Sequence, residues 1–447
     1  MAAPAAAVTR DEDPSFDEIL ALRPHLSVAV EAGLMVEAVP LARIAAAHGT
    51  PCWVYSASTI EGRYRALADA LAEAGLDARI HYAMKANDAL AVVRLLGRLG
   101  AGADVVSGGE LLVARAAGIA PSEIVFSGVG KTEAELRAAL AAGIGQINVE
   151  SAEELAMLAA IAEGMGLRAP VALRVNPDVD AGTHAKITTG RAENKFGVPI
   201  DSARALYARA ASTPGIRVRG VAAHIGSQIT ALAPYRAAFA RLAELVRSLR
   251  AEGLPVERVD CGGGLGIPYR NEPAPSPTAF AHVLRETLGA LGLPLMLEPG
   301  RWLVGPAGLL LARVILEKQG ALRRFVILDA AMNDLIRPSL YEAWHAIVPV
   351  SAARWHAPLA PAEVVGPVCE SGDTFASARM LPPLGPGELV AILDAGAYGA
   401  VMSSTYNARP LAAAVMVRGD EIAVIRQRQS HEALIAQDVI PPWLASG

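Results

Sequence analysis

The 447-residue sequence contains little cysteine and few aromatic side chains. Its three cysteines, Cys52, Cys261 and Cys369, show no Cys-x-x-Cys spacing. That argues against a disulfide framework or a structural zinc site and favours a reducing, cytoplasmic compartment. Only 5% of the residues are aromatic although 53% are hydrophobic, so aliphatic residues and alanine must fill the core.

Long apolar runs and a strong charge imbalance are also absent. Gly, Pro or a charged residue interrupts every apolar stretch before the ~18–20 residues that a membrane span requires. A net charge of −5 gives no electrostatic reason to expect nucleic acid or a membrane surface as a partner. The N-terminus turns acidic at Asp11, unlike a secretory or transit signal. We expect a soluble cytoplasmic enzyme in which residues 1–25 form a loose N-terminal arm that could end in a short helix.

Short β-branched segments alternate with alanine- and leucine-rich segments of helical period from residue 79 onward. One of the helical segments begins with Ser151 followed by Glu154, which fits a capping box. The candidate strands lie at 79–85, 103–106, 123–128, 146–150, 171–176, 218–225, 258–263 and 294–299. Eight such units in series predict an α/β fold of the closed TIM-barrel type, with strands buried on both faces.

After residue 300 the pattern changes to apolar runs separated by Gly and Pro turns, and RGDE at 418–421 is typical of a tight hairpin. This pattern predicts a C-terminal, mostly antiparallel β domain, with which the segment near 30–55 should pair. We therefore expect a barrel over 51–299 and a discontinuous β-sandwich or barrel-like domain formed by 26–50 and 300–447.

Polar residues stand at the carboxyl ends of the predicted barrel strands, where TIM-barrel enzymes place their catalytic groups. They are Lys85, Asp104, Ser127, Glu150, Arg174, Asn176, His224, Gly262–Gly264, Glu298 and Arg301. Each has an ordinary structural explanation when taken singly, such as a surface lysine or a glycine turn. Together they indicate an active site.

The residue types suggest which chemistry this site performs. Burial should lower the pKa of Lys85 and favour a nucleophilic amine that can form a Schiff base. Gly262–Gly264 would let backbone N–H groups approach a phosphate. Glu298 could hold a pyridine nitrogen protonated, and Arg301 could bind a carboxylate. His224 could stack on a flat ring.

Eight motifs, in this order, resemble those of the diaminopimelate decarboxylases, whose wider family includes ornithine and arginine decarboxylases. They are YAMKAN, ENKFG (193–197), HIGSQ, GGGLG, EPGR, MNDLIRP, CESGD and DAGAYG (394–399). The resemblance extends from about residue 35 to 430. It departs at Cys261 and in the acidic N-terminal arm. It implies an alanine racemase-like barrel that binds pyridoxal 5′-phosphate, plus a C-terminal β domain.

The resemblance also implies a role for each cofactor-binding residue. Lys85 would hold pyridoxal phosphate as a Schiff base, His224 would stack on the ring, and Glu298 would pair with the pyridinium nitrogen. Asp104 and Arg174 would support the ring and the lysine. The phosphate end would be bound by Ser227, Gly262, Gly263, Gly264, Gly300 and Tyr398, and Arg301 would also belong to the cofactor-binding residues.

For the substrate, the resemblance implies decarboxylation of meso-2,6-diaminopimelate to L-lysine and CO2, the final step of bacterial lysine biosynthesis. Cys369 would be the acid that reprotonates the substrate carbon, and Glu370 would hold the distal ammonium. Both would come from the partner subunit, which requires a homodimer with shared sites. The substrate's remaining contacts would be Arg301, Arg337, Tyr341 and Tyr398.

Four alternatives stay open at this stage. One is a decarboxylase of another diamino acid, against which Arg301, Arg337 and Tyr341 argue because they suit a distal carboxylate. A racemase would need a second base, and no tyrosine is placed to serve as one. A non-enzymatic relative would lack the β domain or have lost the lysine or the glycines. A carrier-bound substrate on the same fold is compatible with every motif.

Overall fold

The computed structural model describes residues 13–181 and 195–444, and its first elements are short. In chain order they are α1 (Phe16–Ala21), β1 (Leu26–Ala29), β2 (Gly33–Val36), β3 (Val39–Pro40) and α2 (Leu41–His48). The three strands form an antiparallel sheet. Helix α1 begins with a capping box in which the Ser15 hydroxyl accepts a hydrogen bond from the Glu18 amide. The short helix expected in the N-terminal arm is therefore present.

Residues 13–25 are packed against the rest of the chain rather than loose. The Phe16 ring meets Trp355 edge to face, with the ring centroids 5.1 Å apart. Arg23 is buried and forms an ion pair with buried Asp394. The expectation of a loose arm is wrong for these residues. Burial of the Arg23 charge requires a partner, and the ion pair with Asp394 fixes this segment to the second sheet's part of the chain. The expectation for residues 1–12 lies outside the described residues.

A closed barrel of eight parallel strands forms the larger part of the fold. The strands from residue 52 to 297 are β4 (Cys52–Ser56), β5 (Ala78–Ala83), β6 (Gly102–Val105), β7 (Ile124–Phe126), β8 (Gln146–Val149), β9 (Ala169–Asn176), β10 (Val198–Pro199), β11 (Ile216–Ala222), β12 (Arg258–Asp260) and β13 (Leu295–Leu297). The barrel order is β5-β6-β7-β8-β9-β11-β12-β13, and β13 pairs again with β5. All eight predicted barrel strands are confirmed, with ends shifted by up to three residues.

Helices follow the strands and cover the outside of the barrel. They are α3 (Ala57–Glu73), α4 (Leu90–Arg98), α5 (Gly108–Ala116), α6 (Glu133–Ala142), α7 (Ala152–Gly164), α8 (Ile200–Ser212), α9 (Ala233–Ala251), α10 (Pro277–Thr287) and α11 (Arg301–Val304). Ser151 caps α7 as predicted, accepting from the Glu154 amide at 3.1 Å. The Glu154 carboxylate, however, accepts from the Glu150 amide and pairs with Lys131. The capping box is thus only half formed, because the buried lysine competes for the carboxylate.

The remaining elements build a second, mostly antiparallel sheet. They are β14 (Gly308–Gln319), β15 (Arg324–Leu328), α12 (Arg337–Tyr341), β16 (Ile347–Pro349), β17 (Ala360–Val365), β18 (Thr374–Leu381), β19 (Leu389–Ile392), β20 (Ala413–Arg418), β21 (Glu421–Arg426) and α13 (His431–Ile435). The main order is β18-β17-β15-β14-β4-β20-β21, in which the pairs β15–β17 and β4–β20 are parallel. The predicted hairpin at 418–421 joins β20 to β21.

Strand β4 links the two parts of the fold. It pairs with β14 and β20, so the second sheet continues to Ser56, beyond residue 50, where we placed the end of its N-terminal portion. One hydrophobic core fills the barrel, and a second lies among residues 16–55 and 309–417. Over the two described ranges, no helix combines the length and hydrophobicity needed to cross a bilayer.

Candidate active site

A cavity of about 560 Å³ lies at the carboxyl ends of the barrel strands, beside the second sheet. Seven of the predicted site residues line it, namely Lys85, His224, Ser227, Arg301, Arg337, Tyr341 and Tyr398. A small pocket that shares Lys85 and His224 with it is also lined by Ser127, Asn148, Arg174 and Glu298. The rule that parallel strands end at one face of the barrel brings the barrel residues together, whereas Arg337, Tyr341 and Tyr398 come from the part of the chain that forms the second sheet.

Lys85 follows β5 and points into this cavity, with 32% of its side chain exposed. Its Nζ donates to Oδ2 of Asp104, which lies on β6 and is fully buried, at 3.0 Å. Burial alone would lower the pKa of Lys85, but the charges of Asp104, Tyr398 and Glu298 outweigh it and raise that pKa. The predicted lowering is wrong, because a buried carboxylate beside the amine stabilises the ammonium form.

Glu298 directly follows β13 and is buried in the barrel. Burial, together with repulsion from Asp104 and Asp260, raises its pKa well above the usual range. The Asn148 amide, 3.3 Å away, donates to its Oε1. A cationic N–H placed beside this carboxyl would offset the burial and the repulsion that raise its pKa. The nitrogen of a pyridinium ring is such a group.

The three glycines after β12 are required by the packing of the backbone. A Cβ on Gly262, Gly263 or Gly264 would lie within 2.3 Å of a neighbouring carbonyl oxygen. The Gly262 amide donates to Asp260 Oδ1 at 3.0 Å and the Gly263 amide to His224 Nδ1 at 3.1 Å. Two of the three amides expected to cradle a phosphate therefore already have acceptors within the protein.

Arg301 and Arg337 both line the cavity, and both guanidiniums lie near the Tyr269 ring. Arg301 Nη1 donates to the Tyr269 hydroxyl at 2.6 Å and its Nη2 to Ser227 Oγ at 3.1 Å. The Arg337 guanidinium lies 4.9 Å from the Tyr269 ring centroid, and its Nη1 donates to His345 Nε2 at 2.7 Å. Both arginines are at least nine-tenths buried.

His345 is a neutral partner for Arg337. Burial and the Arg337 charge lower its pKa well below the usual range. Its Nδ1 lies 2.8 Å from the Leu393 carbonyl oxygen and must donate, because its Nε2 accepts from Arg337. Among the described residues, no carboxylate lies within 4.0 Å of either Arg301 or Arg337. Such buried cations are stabilised by an anion that enters the cavity.

The other predicted residues form the surroundings of the site. Arg174 Nη1 donates to Glu150 Oε1 at 2.8 Å. Burial, followed by the Lys85 charge, lowers the pKa of His224 well below the usual range, so the ring is neutral. The Tyr398 ring lies 4.8 Å from the Arg301 guanidinium. A Cβ on Gly300 would lie 2.9 Å from the Ala86 Cβ, so this glycine allows the loop after β13 to approach the turn that contains Lys85.

Two predicted residues are not brought to the cavity within one chain. Cys369 and Glu370 are exposed in the second sheet's loops and do not line it. The Cys369 thiol instead lies 3.6 Å from Asn407 Oδ1. The ENKFG motif falls partly outside the described residues, since 193 and 194 are not among them.

The comparisons with known proteins agree with this geometry. A family model described as "Pyridoxal-dependent decarboxylase, pyridoxal binding domain" matches residues 57–305. The diaminopimelate decarboxylase of Zymomonas mobilis is 48% identical over 414 residues, covering 92% of this chain and 98% of the relative. The chain belongs to the diaminopimelate decarboxylase family. The corresponding enzyme of Pseudomonas aeruginosa is 49% identical over 415 residues, with the same two coverages.

Solved structures of the family share the fold. The diaminopimelate decarboxylase of Helicobacter pylori, in complex with L-lysine, aligns with a TM-score of 0.86 at 40% identity, covering 89% of this chain and 98% of that one. The enzyme of M. jannaschii aligns with a TM-score of 0.89 at 36% identity, with coverages of 94% and 99%. The predicted family, barrel architecture and pyridoxal phosphate dependence are confirmed.

The residues present fit the family's cofactor. Lys85 offers an amine for the aldehyde and Glu298 a buried carboxyl for the pyridine nitrogen, while the neutral ring of His224 lies in the same small pocket. Arg301 and Ser227 are cavity donors for an anion. The chain is thus a pyridoxal phosphate-dependent decarboxylase, and these residues could hold its cofactor.

Several residues that line the cavity are not among those predicted from the sequence, and they include Tyr269, Arg270, Glu272 and Trp344. Tyr269 closes the GGGLGIPY segment, so its place next to the glycine turn was a usable signal. The sequence contains no signal that would identify Trp344. Its Nε1 donates at 3.0 Å to Oδ1 of Asp13, which lies 331 residues away in the chain.

The N-terminal arm should therefore influence substrate binding. Asp13 also pairs with Arg379, whose guanidinium lies 4.5 Å from the Trp344 ring centroid. The Asp13→Ala variant lacks the carboxylate that accepts the hydrogen bond of the Trp344 indole. Because losing such a bond costs about 0.5–1.5 kcal/mol, KM should rise roughly two- to tenfold while kcat changes little. Steady-state kinetics will measure this split. Asp17→Ala, an exposed acid on the same arm, is the matched control, and an unchanged KM in Asp13→Ala would contradict the role.

Proposed function

We propose that this enzyme removes one carboxylate of meso-2,6-diaminopimelate as CO2 and releases L-lysine. The observation that carries this proposal is the pair of buried guanidiniums, Arg301 and Arg337, that face the cavity without a carboxylate partner among the described residues. A substrate with a second carboxylate supplies the missing anion. The names of the curated relatives and the L-lysine in the Helicobacter pylori structure support the same substrate and product.

Pyridoxal phosphate, when bound, supplies an electrophilic carbon for the amine and a conjugated ring that accepts the electron pair left by CO2. Lys85 would hold the cofactor covalently, and Asp104 orients the Lys85 amine from the next strand. Glu298 would keep the proton on the pyridine nitrogen, so that the ring would accept electrons more readily. His224 would lie beside the ring, and Arg174 supports the site through Glu150.

The phosphate end of the cofactor belongs at the loops after β12 and β13. There Gly264 and Gly300 bring the backbone close, and Ser227 and Tyr398 line the same cavity. We assign the phosphate to these groups. Gly262 and Gly263 contribute by allowing the turn, since their amides are engaged by Asp260 and His224.

Catalysis then needs a second copy of the chain. Cys369 would donate the proton that replaces CO2 on the substrate carbon, and Glu370 would hold the distal ammonium. Both are exposed and lie outside the cavity of their own chain, which supports their acting on a partner's site. We infer a homodimer with shared sites, in which Tyr341 and Arg337 complete the pocket for the distal carboxylate.

A substrate panel tests the proposed activity. CO2 release should be fast with meso-diaminopimelate and slow with its LL and DD isomers, ornithine, arginine and lysine. The reason is that ornithine, arginine and lysine leave Arg301 and Arg337 facing an unfilled pocket, while the isomers invert one or other end of the substrate. Rates of CO2 release from ornithine or lysine that equal the rate from meso-diaminopimelate would contradict the proposal. They would favour a decarboxylase of another diamino acid. No activity on any free amino acid would favour a carrier-bound substrate.

Arg337→Ala should reduce kcat/KM on meso-diaminopimelate by about tenfold to a hundredfold, because a charge-assisted hydrogen bond to a buried partner is lost. The loss should be much smaller on a substrate without the distal carboxylate, and the cofactor absorbance should be unchanged. Arg323→Ala, which removes an exposed arginine just before β15, is the control. An equal loss on both substrates would mean that Arg337 only supports the fold around His345.

A further inference from the structure

A second cavity, of about 460 Å³, lies at the opposite end of the barrel from the active site. It opens where strands begin, and four arginines line it, Arg168, Arg217, Arg219 and Arg258. Arg168 directly precedes β9, Arg217 and Arg219 belong to β11, and Arg258 begins β12. Since parallel strands start at one face of a barrel, neighbouring strands place these side chains together.

Carboxylates near this cavity do not balance its positive charge. Glu257 pairs with both Arg217, at 3.1 Å, and Arg219, at 2.7 Å, so one anion serves two cations. Within the described ranges, neither Arg168 nor Arg258 has a carboxylate within 4.0 Å. Glu123 also lines the cavity, but its ion-pair contacts are with two residues outside the lining. The cavity keeps an excess of positive charge.

Two of the guanidiniums are held in place by backbone carbonyls. Arg258 Nη2 donates to the Gly145 oxygen at 2.8 Å, and Arg168 Nη2 donates to the Ile216 oxygen at 2.9 Å. The Arg258 Nε is buried and has no hydrogen-bond partner among the described residues. Burial and the neighbouring Arg219 charge lower the pKa of Arg258 to about 10. The arginines are thus fixed in position while part of their donor capacity is unused.

A purely structural role explains only part of this arrangement. Residues at this end of a TIM barrel often serve stability, and the two bonds to carbonyl oxygens fit that role. One arginine would suffice for each bond, however, and placing further cations around the same space adds repulsion. That cost is offset when an anion occupies the cavity.

We propose that this cavity binds a small anion through a phosphate group, at a site separate from the pyridoxal phosphate site. The planar guanidinium fork matches phosphate oxygens in pairs, and several forks around one cavity suit a group with many acceptor oxygens. Because the net charge of the lining exceeds one, a diphosphate should bind more tightly than orthophosphate. The site does not depend on the identity of the substrate.

Calorimetric titration of the cofactor-loaded enzyme tests the site, because the active-site phosphate position is then filled. The probes are orthophosphate, pyrophosphate and ATP at constant ionic strength, with chloride as the non-phosphate anion. We expect one pyrophosphate site per chain, weaker binding of orthophosphate, and no heat with chloride. ATP should bind about as well as pyrophosphate if only its phosphates are recognised.

Variants separate this site from general charge attraction. Arg168→Ala and Arg258→Gln should each weaken pyrophosphate binding about tenfold or more, since each removes a charge-assisted contact. Arg247→Ala, an exposed arginine on α9, changes the net charge equally and should leave binding unchanged. Arg168 lies at the surface of the barrel, so Arg168→Ala tests the site even if Arg258→Gln folds poorly. Absent binding at millimolar pyrophosphate, equal weakening by all three variants, or binding of ATP alone would each overturn the proposal.

Discussion

Lys85→Ala should lose decarboxylase activity by on the order of a thousandfold or more, because the covalent hold on the cofactor disappears. Borohydride reduction of the wild-type enzyme should fix the cofactor on the peptide that contains Lys85. The same treatment of Lys85→Ala should fix none. Mass mapping of the reduced peptides, together with the visible absorbance of the enzyme, measures both results.

The matched control is Lys318→Ala, an exposed lysine on β14, which should keep full activity and the labelled peptide. The geometry makes Lys85 specific, since its amine opens to the cavity and is oriented by the buried Asp104. A reducible bond on another lysine in Lys85→Ala would contradict the assignment. So would retained activity in that variant with no bond at all.

The barrel and the face that carries the site could be predicted from the sequence because both follow from periodic rules. Buried parallel strands read as β-branched runs, and eight such runs recur between helical segments. Once the strands are located, their carboxyl ends must meet at one face. Lys85, His224 and Arg301 consequently line one cavity although 216 residues separate the first from the last.

Electrostatic details could not be predicted in the same way. The pKa of Lys85 rises because Asp104 lies 3.0 Å from its amine, a distance that the spacing of two strands does not give. The engaged amides of Gly262 and Gly263 likewise depend on where Asp260 and His224 point. A sequence pattern identifies residue types and faces, whereas a pKa depends on ångström-scale distances.

Contacts between residues far apart in the chain were also beyond the sequence. Tyr269 is held from both ends: its hydroxyl accepts from Arg301, and its carbonyl oxygen accepts from Arg23 at 2.9 Å. Trp344 is held by Asp13. No local sequence pattern links the N-terminal arm to a residue of the cavity, so these contacts cannot be predicted from the sequence.

Mixing two inactive variants should restore activity if Cys369 acts on the partner's site. In a twofold dimer, a Lys85→Ala chain paired with a Cys369→Ala chain forms one site with both residues intact and one site with neither. Random exchange of equal amounts gives half mixed dimers, each with one working site of two, so about a quarter of the wild-type activity should return.

The decisive control mixes Lys85→Ala with Glu298→Ala. Both residues line the site of their own barrel, so every site in that mixed dimer lacks one of them and no activity should return. Subunit exchange is verified by differently tagged chains that co-purify. Recovery in the first mixture alone would show that Cys369 acts in the active site of the partner subunit. This role would account for its exposed position outside the cavity of its own chain. Absence of recovery in both, with exchange verified, would mean that Cys369 does not act across a dimer interface, and the proton would have to come from a group already in the cavity.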